Sequence, residues 1–137
     1  MSDLYSISTD KSKLDLDLIC DFLTNKSYWA KTRSRATIEK SIANSFCFAV
    51  FDHENQQVGF ARVVTDFAVF AWLLDVFILE KYKGKGLGKM LLKEIMSHKD
   101  LKEIHRWGLG TNDAHSLYEK FGFKPLSSPV NMMEKVR

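Results

Sequence analysis

An apolar run that meets three alternating glycines and passes straight into an amphipathic pattern constrains this chain more than any other feature. In Val76 to Leu92, VFILEKYKGKGLGKMLL, the apolar stretch reads as a strand, Gly84, Gly86 and Gly88 as a tight turn, and the remainder as the start of a helix. Such a turn leaves bare backbone N–H groups and the positive end of a helix macrodipole converging on one point, which favours anions and phosphates above all. Lys83, Lys85 and Lys89 add full positive charges around it. A ligand carrying a diphosphate is the natural guest. Plain turn chemistry is the alternative account of the glycines.

The spacing excludes one nucleotide motif and weakens another. A P-loop ends in Gly-Lys-Ser/Thr and begins five residues before its last glycine; here Gly88-Lys89 is followed by Met90, and position 83 is lysine. A dinucleotide fingerprint is GxGxxG near the start of a βαβ unit, whereas this turn is GxGxG with other strands before it. A second segment lies downstream: Asn112-Asp113-Ala114-His115-Ser116-Leu117-Tyr118-Glu119-Lys120-Phe121-Gly122-Phe123. Lys83 to Gly88 resembles the Arg/Gln-x-x-Gly-x-Gly/Ala signature of the GNAT superfamily of acyl-CoA-dependent N-acetyltransferases, with lysine where the family usually has arginine or glutamine. The downstream segment is similar to that family's A-x-x-L-Y-x-K-x-G-F stretch. Two motifs in this order are far more specific than either alone, and with the element order the resemblance covers residues 45–126 or so.

A coarse reading of periodicity agrees. Leu4–Ser8 alternates as a first edge strand, and Ser12-x-x-Asp15 reads as a capping box opening a helix over Leu14 to Leu23. A loop over 25–35 precedes a short helix, 36–44. Strands 46–51 and 58–65 flank a turn-rich connection, and 67–79 reads as a long apolar strand buried on both faces. A helix follows over 86–98, with Leu87, Leu91 and Ile95 inward. Then come a strand at 102–109, a helix at 113–121 and a last strand at 132–136. The sum is antiparallel strands followed by a parallel strand–helix–strand crossover, right-handed by rule.

The resemblance implies a small, single-domain member of bacterial type: residues 1–137 as one α/β domain of GNAT fold, a mixed sheet with helices on both faces. It implies a cytoplasmic N-acetyltransferase in which a primary amine, of a small molecule or a protein, attacks the thioester of acetyl-CoA directly. No metal is needed, no nucleic acid or membrane partner is expected, and a monomer or homodimer would serve. By resemblance the cofactor-binding residues are Phe77, Ile78, Lys83, Gly84, Lys85, Gly86, Leu87, Gly88, Lys89, Thr111, Asn112 and Tyr118. The pantetheine arm would pair with strand backbone near Phe77 and Ile78, and the diphosphate would rest on the 84–88 amides. A non-catalytic acyl-CoA sensor or regulatory subunit on the same fold is the alternative, since fold does not dictate activity.

Composition sets the outer limits. With 137 residues and 45% hydrophobic content, the chain can bury one sizeable core and has no room for two. A net charge of +3 suits an anionic cofactor and is too small to argue for nucleic acid. The opening MSDLYSISTDKSK is polar and partly acidic, unlike a signal peptide. Cys20 and Cys47 lack zinc-ligand spacing and read as reduced thiols; the four histidines are scattered.

Two residues carry the expected chemistry. The resemblance places Tyr118 near the cofactor sulfur, as the acid that protonates the leaving thiolate; Ala114, Leu117, Tyr118 and Phe121 also form one apolar helix face, where a core tyrosine is ordinary. Asp75 interrupts an apolar run, and desolvation would raise its pKa toward that of a general base. The competing account makes it a structural partner of Arg62, with Asp66 a weaker rival base and a water relay a third option. The substrate side is expected to include Tyr28, Trp29, Arg62 and Asp75, with Tyr28 and Trp29 as a lid or wall unless they simply pack on the core. Lys31, Arg33 and Arg35 either favour an anionic substrate tail or are solvated surface charge.

Overall fold

The computed structural model describes residues 4–137, and one five-stranded sheet organises them in the order β1-β2-β3-β4-β5. The strands are β1 (Ser6–Ser8), β2 (Phe46–Phe51), β3 (Gln57–Thr65), β4 (Phe70–Ile78) and β5 (Arg106–Gly108). The first four pair antiparallel in sequence order, and β4 pairs parallel with β5. The helices are α1 (Leu16–Asp21), α2 (Arg35–Ala43), α3 (Leu87–Ser97) and α4 (His115–Glu119). This is the mixed α/β sheet that the periodicity implied.

The sheet separates two apolar layers. On one face, Phe48, Val50, Ala61, Val63, Ala71 and Leu73 pack against Leu87, Leu91, Leu92 and Ile95 of α3 and Tyr118 of α4. On the other, Cys47, Phe60 and Phe77 meet Ile19, Leu23, Ile38 and Ile42 of the N-terminal helices. Leu91, Leu92 and Ile95 are each fully buried, contributing about 1.5–3 kcal/mol apiece in transfer terms. The inward stripe read from period 3.6 is therefore the one α3 uses.

Several boundaries differ from the sequence expectation, each for a local reason. The capping box at Ser12 and Asp15 does not form. Asp10 accepts the Ser12 N–H to cap a 3₁₀ turn, Lys11–Lys13, and Asp15 caps α1 by accepting the Leu18 N–H at 3.0 Å. Beyond Asp21 the chain loosens into a π-helical turn, Phe22–Lys26. Strand β4 starts at Phe70, not 67, because Asp66 Oδ1 gathers the N–H groups of Ala68, Val69 and Phe70 at 2.8–3.1 Å into a turn. The expected strand 102–109 shrinks to three residues, since the His98 carbonyl accepts from Leu101 and Lys102 and holds that stretch in turns. Residues 132–136 form no strand: they carry no ladder, and Met133 and Val136 are exposed. Among the described residues no helix is long and apolar enough to cross a membrane.

β4 also departs from a plain two-face alternation. Phe60 pairs with Phe77 and Arg62 with Leu74, so β4 carries one residue more than β3 across this interval: a β-bulge. Asp75 sits at the bulge with φ 54°, a left-handed conformation that is strained for a residue with a side chain. Because side chains alternate with period two, one inserted residue exchanges the faces. Ala71 and Leu73 accordingly point to the α3 layer, whereas Phe77 points to the α1 and α2 layer.

Candidate active site

β4 and β5 pair only over Phe70–Trp72 and Arg106–Gly108. Past that point the two parallel strands part, and β4 runs on alone for six residues on that side. Trp72 wedges the opening: a Cβ on Gly108 would lie 2.3 Å from its ring, so only glycine allows the indole to lie on β5. A cleft follows directly from this short pairing.

The glycine turn closes one end of the cleft. Gly84 and Gly86 have φ of 81° and 79°, which glycine adopts without penalty. Gly86 is the N-cap of α3 and offers no side-chain acceptor, and the first intrahelical bond comes from Met90. The N–H groups of Leu87, Gly88 and Lys89 are thus left for an outside partner. Leu87 and Gly88 line a cavity of about 350 Å³ whose other walls include Val76, Phe77 and Ile78 of β4, Lys83, Gly84 and Gly86 of the turn, Phe22, and Ala114, Leu117 and Tyr118 of the α4 region. Phe22 stacks on Phe77 at 4.0 Å between centroids, fixing that wall.

A second cavity, about 420 Å³, lies on the other side of the bulge. Trp72, Leu73, Leu74 and Asp75 form its floor, Tyr28, Trp29 and Arg33 one wall, and Gly110 to Ala114 with Tyr118 the opposite wall. Tyr28, Trp29, Val76, Asp113, Ala114 and Tyr118 line both cavities, so the two spaces meet there. The walls are tied across the cleft by the Asn112 N–H, which donates to the Tyr28 hydroxyl at 2.9 Å.

Asp75 is the buried charge of the site. Its carboxylate accepts from Trp29 Nε1 at 2.8 Å, Arg33 Nη1 at 2.8 and 2.9 Å, and Arg62 Nε at 2.8 Å. Burial pushes this carboxyl up, but the Arg62 hydrogen bond and charge, then Arg33 and Trp29, outweigh it and hold the pKa below the ordinary 3.8. The expected raised pKa is therefore corrected: two guanidinium groups pair the carboxylate more strongly than desolvation opposes it. Asp66, the rival, is a turn residue whose pKa is lowered by the backbone N–H groups of Ala68, Phe70 and Val69.

Tyr118 lies at the meeting point of the cavities, 8% exposed. Burial, with Tyr28 and Asp113 nearby, pushes its phenol up to about 12. A raised folded-state pKa means that the associated stability is full below the ordinary value of 10.0 and is lost as pH rises from there toward about 12. Alkaline unfolding curves should therefore show a loss in that window that is smaller for Tyr118→Phe. Identical pH dependence of the two proteins would contradict the buried phenol.

The structure thus brings together Phe77, Ile78, Lys83, Gly84, Gly86, Leu87, Gly88 and Tyr118 at the first cavity, and Tyr28, Trp29 and Asp75 at the second. Thr111 and Asn112 line the second cavity, not the first; the Thr111 hydroxyl accepts the Ala114 N–H at 3.1 Å and so shapes the entry to α4. Lys85 and Lys89 are exposed and line neither cavity. Arg62 stands behind Asp75, 8% exposed, with Nη1 donating to Ser45, and lines neither cavity. Val76 and Asp113 were not among the residues singled out. Asp113 lies within the downstream motif, but nothing in the residues announces a bulge at Asp75-Val76, which has no glycine to mark it. Of the basic stretch, Arg33 alone turns inward; Arg35 pairs with Asp17 and Glu39 at the surface.

Comparison with known proteins gives a consistent picture. The profile of the family described as acetyltransferase (GNAT) domain matches residues 44–125. A solved structure from Xanthomonas campestris pv. campestris, described as belonging to the GNAT family, is 41% identical, with a TM-score of 0.93, over 97% of this chain and 93% of that one. An uncharacterized N-acetyltransferase from Gracilaria tenuistipitata var. liui is 31% identical over 114 residues, 80% of this chain. The spermine/spermidine N(1)-acetyltransferase of Bacillus subtilis (strain 168) is 40% identical over 60 residues, 39% of this chain and 38% of that protein. The chain spans 60% of the length of the first curated relatives it matches.

Proposed function

Because this chain belongs to the GNAT family of acetyltransferases, we propose that it transfers an acetyl group from acetyl-CoA to an amine held in the second cavity. The observation that carries this reading is the junction: the glycine turn and the N-terminus of α3 wall one cavity, and Tyr118 and Val76 line both that cavity and the other. Residues 1–137 act as one GNAT domain, since both apolar layers share one sheet.

The residues present fit acetyl-CoA. The free N–H groups of Leu87, Gly88 and Lys89 suit a diphosphate, with Lys83 beside them and Lys85 and Lys89 as charge at the rim. The unpaired side of β4 at Val76 to Ile78 suits the peptide-like arm. When bound, the coenzyme supplies an acetyl group activated as a thioester. Tyr118 keeps its proton at Oη throughout the physiological range and is the donor at the junction. The bulge leaves peptide groups around Val76 outside the regular ladder, where an N–H can oppose developing negative charge. Asp75 holds Trp29 and Arg33 in place and stays ionised. Polyamines are acceptors for the Bacillus protein named above; for this chain the acceptor is an amine whose class is taken up below.

Two measurements test the proposal. Calorimetry with acetyl-CoA should give a 1:1 isotherm, and free thiol should appear when an amine panel is added. Heat without thiol release for any amine would favour the non-catalytic sensor. Gly86→Ala places a Cβ on a left-handed residue at a cost of about 1–2 kcal/mol, although open space surrounds it. Acetyl-CoA affinity should fall about tenfold as the turn readjusts; an unchanged Kd would argue against the turn as the diphosphate site.

A further inference from the structure

We infer that the acceptor is a small amine that also carries an anionic group, a carboxylate or a phosphate, and that Arg33 is the residue that selects it. The inference rests on the acetyl-transfer reading of the second cavity and narrows it.

The charges of that cavity are distributed unevenly. Asp75 has a side chain only 1% exposed and spends both oxygens on Trp29, Arg33 and Arg62. It has no capacity left for a substrate cation. Two guanidinium groups face this one carboxylate, so the cluster keeps a surplus of one positive charge beside the second cavity. Arg33 presents that surplus. Its side chain is 25% exposed and lines the cavity. Nη1 is the nitrogen that holds Asp75, while Nε and Nη2 have no protein acceptor among the described residues. A planar guanidinium with free donors, already immobilised by a buried carboxylate, is suited to carboxylate or phosphate oxygens.

A carboxylate also lines the second cavity. Asp113 lines both cavities and so stands at the junction, where the amine must arrive. Arg33 lines the second cavity alone. An amine with its cationic end toward Asp113 and an anionic end toward Arg33 matches both. A polyamine would bring a second cation to the positive end. Trp29, Tyr28 and Trp72 flank the path and accommodate an apolar or aromatic body between the two charges.

Matched pairs of probes test this on the protein saturated with coenzyme A. L-phenylalanine is compared with L-phenylalaninamide, O-phosphoethanolamine with ethanolamine, and spermidine is added alone, each by calorimetry and by thermal shift. At least one anionic member should bind about tenfold tighter or more than its neutral partner, and the better pair identifies carboxylate or phosphate. Arg33→Gln should abolish the preference, and Arg33→Lys should keep part of it. Equal binding within both pairs, tighter binding of spermidine, or no heat from either anionic probe at millimolar concentration overturns the inference, and a preference unchanged in Arg33→Gln overturns the assignment to Arg33. The wild-type pairs decide even if a variant fails to fold. Failure of acetyl-CoA itself to bind would instead strike the underlying reading, so the two failures are separable.

Discussion

Replacing Tyr118 by phenylalanine is expected to lower kcat at least about 100-fold, within the roughly 10²–10⁴ range of a positioned acid, while the Kd for acetyl-CoA changes by less than about twofold. The ring makes most of the contacts: it packs in the α3 layer and meets Phe123 edge-on at 6.0 Å. Phenylalanine preserves that packing and removes only the hydroxyl at the junction. The pKa, pushed up to about 12 by burial, keeps the hydroxyl protonated and able to donate across the neutral and mildly alkaline range. Pre-steady-state measurement of thiol release beside equilibrium binding separates the two quantities. Unchanged kcat would leave Tyr118 as a core tyrosine, the alternative that its apolar helix face suggests.

Asp75→Asn is expected to destabilise the fold strongly. It removes the counter-charge from Arg62, itself almost fully buried, and from Arg33. Breaking one side of a buried ion pair costs about 3–5 kcal/mol, a fall in Tm of roughly 10 °C or more for a chain of this size. Removing Arg62 as well, as in Asp75→Leu with Arg62→Met, should recover part of the loss, because the more deeply buried of the two uncompensated charges is then gone and Arg33 is partly solvated. Since the folded pKa of Asp75 is depressed, its contribution is complete at neutral pH and disappears as pH falls below about 3.8, through the folded value. The acid limb of unfolding should therefore be shallower in Asp75→Asn. Asp75 is ionised across the neutral range, so the pH–rate profile should keep its shape in any surviving activity. A limb between pH 6 and 9 that vanishes in Asp75→Asn would restore the general-base reading.

The parts legible in the residues were those governed by local periodicity and by turns that only glycine tolerates. β2 at 46–51 follows from an apolar run bounded by a turn-rich connection, and the inner stripe of α3 from period 3.6. Gly84 and Gly86 announce left-handed positions ahead of a helix N-terminus. Eight of the residues expected at the cofactor, Tyr118 among them, line the first cavity, while Phe22, Lys26, Tyr82 and Leu117 reach it from elsewhere. Residues whose roles depend on distant groups were less legible. Thr111 and Asn112 belong to the second cavity because the Tyr28 hydroxyl, 84 positions earlier, receives the Asn112 N–H. Arg33 and Arg35 look alike in the chain, yet one serves Asp75 and the other the surface.

Sequence alone pointed to the family, to antiparallel strands followed by a parallel crossover, and to the glycine turn ahead of α3, since each rests on contacts within a few residues or on motifs that carry them. Only the tertiary structure decided the chemistry of Asp75. One inserted residue in β4 turns that side chain toward Trp29 and Arg33 of one loop and Arg62 of β3. Their combined charge reverses the pKa shift that burial by itself would produce. The sign of an electrostatic balance depends on which groups meet within a few ångströms, and no local pattern in this chain states that.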